Sequence, residues 1–219
     1  MNTVKNEVQN EASLTLGSNS EYLQMYHLYS AAISSFRNRL EILNDELNMT
    51  FSRNPIHHIE GRVKSPASII DKLKKKNAEI SLLSAKENIN DLAGIRIVCC
   101  FIDDVYRVEE MLMRQPDIVL EKRQDYIKNP NYNGYRSLHL DLRVPVYLSD
   151  HTENVLIEVQ LRTIAMDFWA SLEHDLRYKV KNKETLPEGI NEEMLACAGD
   201  IAAIDEKMQQ MHNRIHKDS

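Results

Sequence analysis

The stretch "NVLIEVQLRT", residues 154–163, alternates without a break. Val155, Ile157, Val159 and Leu161 fall on one side of an extended chain, and Leu156, Glu158, Gln160 and Arg162 on the other. A period of two predicts a β-strand with one apolar and one largely polar face. "YRSLHLDLRV", residues 135–144, repeats the pattern and puts Ser137, His139, Asp141 and Arg143 on its polar side. A turn around "SDHTE", 149–153, joins the two, giving strands over 135–147 and 154–162. "GIRIVCCFI", 94–102, is apolar and β-branched almost throughout and reads as a buried strand. Further extended segments are expected at 56–63 and 117–124.

Helical patterns surround these strands. In residues 21–50, Tyr22, Met25, Tyr26, Tyr29, Ile33, Phe36, Leu40, Leu43 and Leu47 recur at spacings of three and four, one apolar stripe of a long helix. "RNP", 53–55, stops it, because a residue before proline is pushed out of helical geometry. Ser65-Pro66 reads as a cap and first position, opening a helix to about Lys76. Asp103 is expected to cap "DVYRVEEMLMRQ". Helical spacing returns from Thr163, with Phe168 and Trp169 expected in the core. A charged loop, 181–188, precedes a last helix over 190–215. The order predicts an α+β fold: a mixed sheet of about five strands flanked by helices, one domain over 21–219 with a core at about 56–180 and long terminal helices. Residues 1–20 are polar and expected to be a disordered tail.

Composition narrows the function. The chain has 219 residues, 42% of them hydrophobic, enough for a single core with peripheral helices. No apolar run approaches the roughly 20 residues a membrane helix needs, and the N-terminal stretch lacks the apolar centre of a secretory signal. Three cysteines without framework spacing point to reduced thiols and a cytoplasmic setting. The net charge of −6 gives no global attraction to nucleic acid or anionic membrane. An anionic ligand must be held by a local cluster.

Such a cluster can be assembled from Arg62, Lys64, Lys72, Arg96, Arg123 and Lys128, and it suits a nucleoside polyphosphate. In "GRVKSPASIIDKL", 61–73, Ser65, Ser68 and Lys72 lie on or near the first turns of a helix, where backbone N–H groups favour anions. Lys74, Lys75 and Lys76 read as solvated surface. There is no glycine-rich Walker loop and no Gly-x-Gly-x-x-Gly run, so a nucleotide would be held by side chains and a helix end. Asp91, at the mouth of the 94–102 strand, is by type a common turn residue. If their two strands are neighbours, Asp91 and Glu158 would supply a pair of carboxylates of the kind that holds Mg²⁺ beside substrate phosphates. "NPNYNGYRSLHLDL", 129–142, raises a separate question, because Gly134 serves either a plain turn or a close approach to a ligand that Tyr135 and His139 would touch.

"GRVKSPASIIDKL", "DLAGIRIVC", "DYIKNPNYNGYRSLH", "EVQLRT" and "MDFWASLEHDLRYK" occur in that order. Together they resemble the synthetase domain of the bacterial alarmone enzymes of the RelA/SpoT family, over residues 56 to 180. With no hydrolase or regulatory domain beside it, the chain is similar to the stand-alone small alarmone synthetases. The resemblance implies a nucleotidyltransferase-like sheet, a homotetramer built through the terminal helices, and Mg²⁺-dependent transfer of the β,γ-pyrophosphate of ATP to the 3′-hydroxyl of GDP or GTP, with AMP leaving. It implies that Arg62 and Arg96 sandwich adenine, that Lys64, Ser68 and Lys72 hold ATP phosphates, and that Asp91 and Glu158 bind Mg²⁺, Glu158 also taking the acceptor's proton. Tyr135 would stack on guanine, His139 and Gln160 would contact the acceptor, and Arg123 and Lys128 would lie near its 5′-phosphates.

Two departures from the family pattern bear on specificity. Asn131 stands where some relatives have lysine. Asp167 stands where others have asparagine, which leaves guanine selection possible through a carboxylate and implies weak or absent activation by product. Two other readings share these residues. One is a pyrophosphokinase acting on the tRNA 3′ end, which the acidic balance disfavours. The other is a catalytically inactive nucleotide sensor or RNA-binding module, which the intact Asp91, Glu158, Tyr135, Arg62 and Arg96 disfavour. His174-Asp175 reads as a helix-surface pair rather than a hydrolase fragment.

Overall fold

Five strands form one mixed sheet in the order β1 (Ile56–Val63), β2 (Ala93–Cys99), β5 (Thr152–Thr163), β4 (Leu138–Tyr147), β3 (Val119–Asp125). The structure is a computed structural model that describes residues 15–51, 53–180 and 187–215. β2 and β5 run parallel; β1–β2, β5–β4 and β4–β3 pair antiparallel. The α+β architecture expected from the element order is the one observed.

The alternation read from the sequence decides which face is which. Val155, Ile157, Val159 and Leu161 of β5 and Leu138, Leu140 and Leu142 of β4 are buried, with Ile95, Ile97 and Cys99 of β2 beside them. This face carries the core, covered by the long α1 (Asn19–Phe51) and by α4 (Ile102–Met113). Met25, Tyr29, Phe36, Leu40 and Leu47 of α1 are buried, as its spacing predicted, and Ala32 with them, whereas Tyr26 is largely exposed. The opposite face is polar and positions the candidate site. α2 (Pro66–Lys75) lies at one end of it, and α5 (Ile164–Val180) follows β5 without a linker. α6 (Ile190–Ile215) packs on α5 and α4.

Several boundaries differ from the sequence reading. α1 opens two residues early, in a capping box: the Ser18 amide donates to Glu21 Oε2 at 2.8 Å and the Glu21 amide to Ser18 Oγ at 3.2 Å. Leu16 is buried just before it, so the tail expected over 1–20 does not reach that far; its residues 1–14 lie outside the described residues. A short helix, α3 (Leu82–Asn88), and a 3₁₀ turn, Asn90–Leu92, precede β2. Seven residues are too few for periodicity to reveal, although Ser81 caps the first by accepting from the Ser84 amide. Asp103 is not a cap. It lies in the first turn of α4, where its amide donates to Gln209 Oε1 and its carboxylate accepts from Gln209 Nε2, both at 2.9 Å. Phe168 is 57% exposed, while Trp169 is buried. Residues 181–186 of the expected charged loop fall outside the described residues.

Candidate functional site

Sheet register lines up two rows of polar side chains across all five strands. One runs Arg62, Gly94, Glu158, Asp141, Lys122; the next runs Glu60, Arg96, Gln160, His139, Gln124. Side chains opposite one another in adjacent strands lie within interaction distance. The two polar strand faces predicted separately therefore form one surface, and the parallel β2–β5 pairing adds the arginine and glycine of β2 to it.

At the β1 end this surface opens into a groove of about 500 Å³, lined among others by Arg62, Lys64, Asp91, Arg96, Glu158 and Gln160. Asp91, in the 3₁₀ turn, is gripped by two ammonium groups: Lys64 Nζ at 2.9 Å from Oδ2 and Lys72 Nζ at 2.7 Å from Oδ1. Burial pushes the Asp91 carboxyl up, but the hydrogen bonds and charges of these two lysines outweigh it and hold the group below the usual carboxylate range. Glu158 behaves in the opposite way. Burial raises it above the ordinary value, the hydrogen bond from Gln160 Nε2 at 2.7 Å only partly opposes this, and the charges of Asp91 and Asp141 add to the rise. A Cβ at Gly94, between Arg62 and Glu158 in the row, would meet no atom within 4 Å. The missing side chain leaves the groove floor open. Arg62 is exposed, with no acidic partner among the described residues, and Arg96 reaches Glu60 at 3.5 Å and Asp167 at 3.4 Å. The Nε of Arg96 is buried with no hydrogen-bond partner among the described residues. Ser65 caps α2, and its hydroxyl donates to Ser68 Oγ at 2.9 Å, leaving Ser68 exposed at the helix mouth.

At the β4 end the surface meets the loop that precedes Leu138. Asn131 to Gly134 form a turn closed by the Gly134 amide on the Asn131 carbonyl at 2.9 Å. Gly134 has φ +82°, the left-handed region where glycine is at ease. The close approach it permits is to α6 and not to the sheet surface: a Cβ there would lie 2.4 Å from Ala198 Cβ. Tyr135 follows, and its hydroxyl is central to a network. It hydrogen-bonds His139 Nε2 at 2.8 Å and accepts from Arg162 Nη2 at 2.6 Å, and Arg162 Nη2 also donates to Gln160 Oε1 at 2.8 Å. The Arg162 guanidinium lies 5.1 Å from the centroid of the Tyr135 ring. His139 is held neutral. Burial, then the charges of Arg162 and Lys122, lower its pKa to about 4. Its Nδ1 lies 3.7 Å from Glu158 Oε1, beyond hydrogen-bond contact.

The structure thus brings Asp91, Glu158, Arg62, Lys64, Arg96 and Gln160 into the lining of the groove, with Lys72 bound to Asp91 and Ser68 at the start of α2. Tyr135 and His139 connect to Gln160 and Asp167 through Arg162 and the sheet register. Arg123 is not among them. It alternates onto the other face of β3, opposite Leu140, and is bound by Glu109 at 2.6 Å and Asp125 at 3.3 Å. Lys128 likewise turns toward α4, its Nζ 5.1 Å from the centroid of the Tyr106 ring. Arg162 was read only as a polar strand position, yet it is 4% exposed and links Asp167, at 3.2 Å, to Tyr135 and Gln160. A buried arginine is recognisable only once its partners are placed. Asp167 therefore touches Arg96 on one side and Arg162 on the other.

Among the described residues, no group of three or more His, Cys, Asp or Glu side chains is arranged to hold a metal ion. The pair Asp91 and Glu158, over an open floor, fits Mg²⁺ of the kind completed by substrate phosphates. Among the described residues, no helix is long and apolar enough to cross a membrane.

Comparison with known proteins bears on this site. Residues 61–183 match the family described as a region found in RelA/SpoT proteins. GTP pyrophosphokinase YwaC of Bacillus subtilis (strain 168) is 44% identical over 181 residues, 83% of this chain and 85% of that protein. The crystal structure of small alarmone synthetase 2 from Bacillus subtilis superposes with a TM-score of 0.77 at 40% identity, covering 86% of this chain and 97% of that one. Small alarmone synthetase 1 from the same organism, solved bound to its product pppGpp, superposes with a TM-score of 0.79 at 30% identity, covering 90% and 99%.

Proposed function

This chain belongs to the RelA/SpoT family, and from that premise we propose that it is an alarmone synthetase, transferring the β,γ-pyrophosphate of ATP to the 3′-hydroxyl of GDP or GTP with release of AMP. The observation that carries this reading is the pair of carboxylates lining one groove, Asp91 neutralised by two lysines and Glu158 held by Gln160 with no lysine or arginine ion pair among the described residues. Phosphoryl-type transfer asks a protein for in-line positioning and charge neutralisation more than for covalent help, and this groove is built from those elements.

In the proposed arrangement ATP lies in the groove. The flat guanidinium groups of Arg62 and Arg96 flank the adenine, a task lysine performs poorly. Lys64 and Lys72 exchange Asp91 for the ATP phosphates, with Ser68 at the N-terminus of α2 as a further contact. Asp91, once released, and Glu158 are the residues that would hold Mg²⁺, which when bound neutralises charge on the transferred phosphates. Glu158 takes the proton of the 3′-hydroxyl as its oxygen attacks the β-phosphorus and the bond to the α-phosphate breaks. A carboxylate raised above its ordinary pKa is the stronger base for that step. The guanine nucleotide lies toward Tyr135, whose ring offers a stacking surface, with neutral His139 and Gln160 as hydrogen-bonding neighbours and Asp167 available to guanine N–H groups. Arg123 and Lys128 carry no assignment in the arrangement seen.

We assign the enzyme to the cytoplasm, and to the homotetramer that the resemblance implies. Two exposed apolar stripes are available for assembly: Ile164, Phe168, Leu172 and Leu176 on α5, and Ile204, Met208, Met211 and Ile215 on α6. Light scattering measures the assembly. The decisive assay supplies γ-labelled ATP, Mg²⁺ and one of GDP, GTP or deacylated tRNA. Label should pass to GDP or GTP. Transfer only to tRNA, or to none of them, would overturn the proposal.

A further inference from the structure

Three consecutive residues of the loop before β4 are seated on the two C-terminal helices. Asn133 Nδ2 donates to Glu173 Oε1 of α5 at 3.1 Å. Gly134 lies so close to α6 that an added Cβ would fall 2.4 Å from Ala198 Cβ and 3.3 Å from Leu195 Cδ1. Tyr135 packs on a small cluster of its own, Trp169 and Ala170 of α5 with Ala198 of α6, separate from the main core. Resting on the reading of this loop as the acceptor seat, we propose that Ala198 is a positioning residue for the guanine nucleotide, acting through Gly134 on the placement of Tyr135.

The steric argument has two sides. At position 134 only glycine meets both demands, the left-handed backbone and the missing Cβ. At position 198 the side chain must be small, because Gly134 occupies the space a larger one would need. Any shift of α6 is then passed through backbone contact to the residue whose ring and hydroxyl face the acceptor. The donor groove shares no residue with this contact: its lining comes from α1, β1 and Lys64 just after it, the 3₁₀ turn, β2 and β5. α6 also carries the exposed Ile204, Met208, Met211 and Ile215. One helix thus faces both the acceptor loop and the surroundings of the protein.

The test is the pair Ala198→Leu and Gly134→Ala, which press on the same contact from opposite sides, with Ala198→Ser as the conservative control. Overpacking of this kind should raise the acceptor KM by about tenfold or more in both variants, leave the KM for ATP and kcat near their unsubstituted values, and be absent in Ala198→Ser. Trp169, the single tryptophan, lies in the cluster and gives a readout independent of turnover. Its emission should change on adding GDP alone and not on adding a non-hydrolysable ATP analogue, with the GDP titration moved to higher concentration in Ala198→Leu. Equal increases in both KM values, a selective effect in only one of the two variants, or flat emission on GDP saturation would overturn the inference. If Ala198→Leu does not fold, Ala198→Val with the same readouts decides. Failure of the unsubstituted protein to transfer label to GDP or GTP would instead overturn the functional reading beneath it.

Discussion

The groove proposed for the donor and the loop proposed for the acceptor meet one face of one sheet but are held largely by different forces. In the groove, charge answers charge: Asp91 against Lys64 and Lys72, Arg96 against Glu60 and Asp167. On the loop side a phenol, an imidazole, a guanidinium and an amide hydrogen-bond one another through Tyr135, His139, Arg162 and Gln160, although the buried Arg162 Nε has no hydrogen-bond partner among the described residues. The groove must undo its own ion pairs to admit a polyphosphate, so its affinity should fall as salt rises, exchanging lysine–carboxylate for lysine–phosphate contacts. The loop side carries the Arg162–Asp167 pair at 3.2 Å, but its Tyr135, His139 and Gln160 contacts are hydrogen bonds already aligned. Glu158 belongs to both, hydrogen-bonded to Gln160 and raised by burial, with the charge of Asp91 adding to the rise.

The largest effect should follow from removing that shared group. Glu158→Gln keeps the shape and the contact with Gln160 but removes the proposed base and one carboxylate. Label transfer should fall by about 1000-fold, while binding of an ATP analogue, followed by calorimetry, survives. Near-normal turnover would remove Glu158 from its role and with it the distinction between the two halves. Next in size is Lys72→Met, confined to the donor side. Loss of one charge-assisted contact should raise the KM for ATP by about 10- to 100-fold and leave the acceptor KM unchanged. Tyr135→Ala is the mirror experiment. Losing a stacking surface should raise the acceptor KM by about 10-fold, with ATP unaffected. If either variant weakened both substrates equally, the two halves would be one site.

How well each half could be read from the sequence follows the same division. The donor half is built from short-range pattern: alternation fixes the faces of β1 and β5, and Ser65-Pro66 fixes the start of α2. Arg62, Lys64, Ser68, Lys72 and Glu158 could be named before any fold was seen. Pairing Asp91 with Glu158 required knowing that β2 lies beside β5, a parallel contact between distant segments that no local pattern encodes. The acceptor half depends on such contacts for more of its parts, although Tyr135 and His139 could be named from the sequence. Arg162 becomes visible only when Tyr135, 27 residues earlier, is brought to it. The partner of Gly134 is Ala198, more than sixty residues later in the chain. Arg123 shows the opposite error: a basic residue close in sequence to the loop, but turned by alternation to the far face and taken up by Glu109.

The smallest effect tests how firmly α6 is held beneath the loop. Asp205 of α6 accepts a hydrogen bond from Thr163 Oγ1 at 2.6 Å, at the junction of β5 and α5. Burial raises its carboxyl above the ordinary aspartate value; the Thr163 hydrogen bond and Arg136 only partly oppose this, and Glu206 adds to the rise. An acid whose folded pKa is raised contributes stability that is fully present below its unfolded pKa and is lost as pH rises through the folded one. At neutral pH the ionised form is therefore a cost that Asp205→Asn removes while the amide oxygen still accepts from Thr163. The variant should match the parent at pH 4 and melt higher above pH 7, by no more than a few degrees at about 1 kcal/mol or less for a domain this size. Thermal melts at the two pH values check the sign. A variant less stable than the parent at pH 8 would mean that the charge on Asp205 helps to hold α6. The acceptor half would then rest on electrostatics as the groove does, and the contrast between them would narrow to the loop network alone.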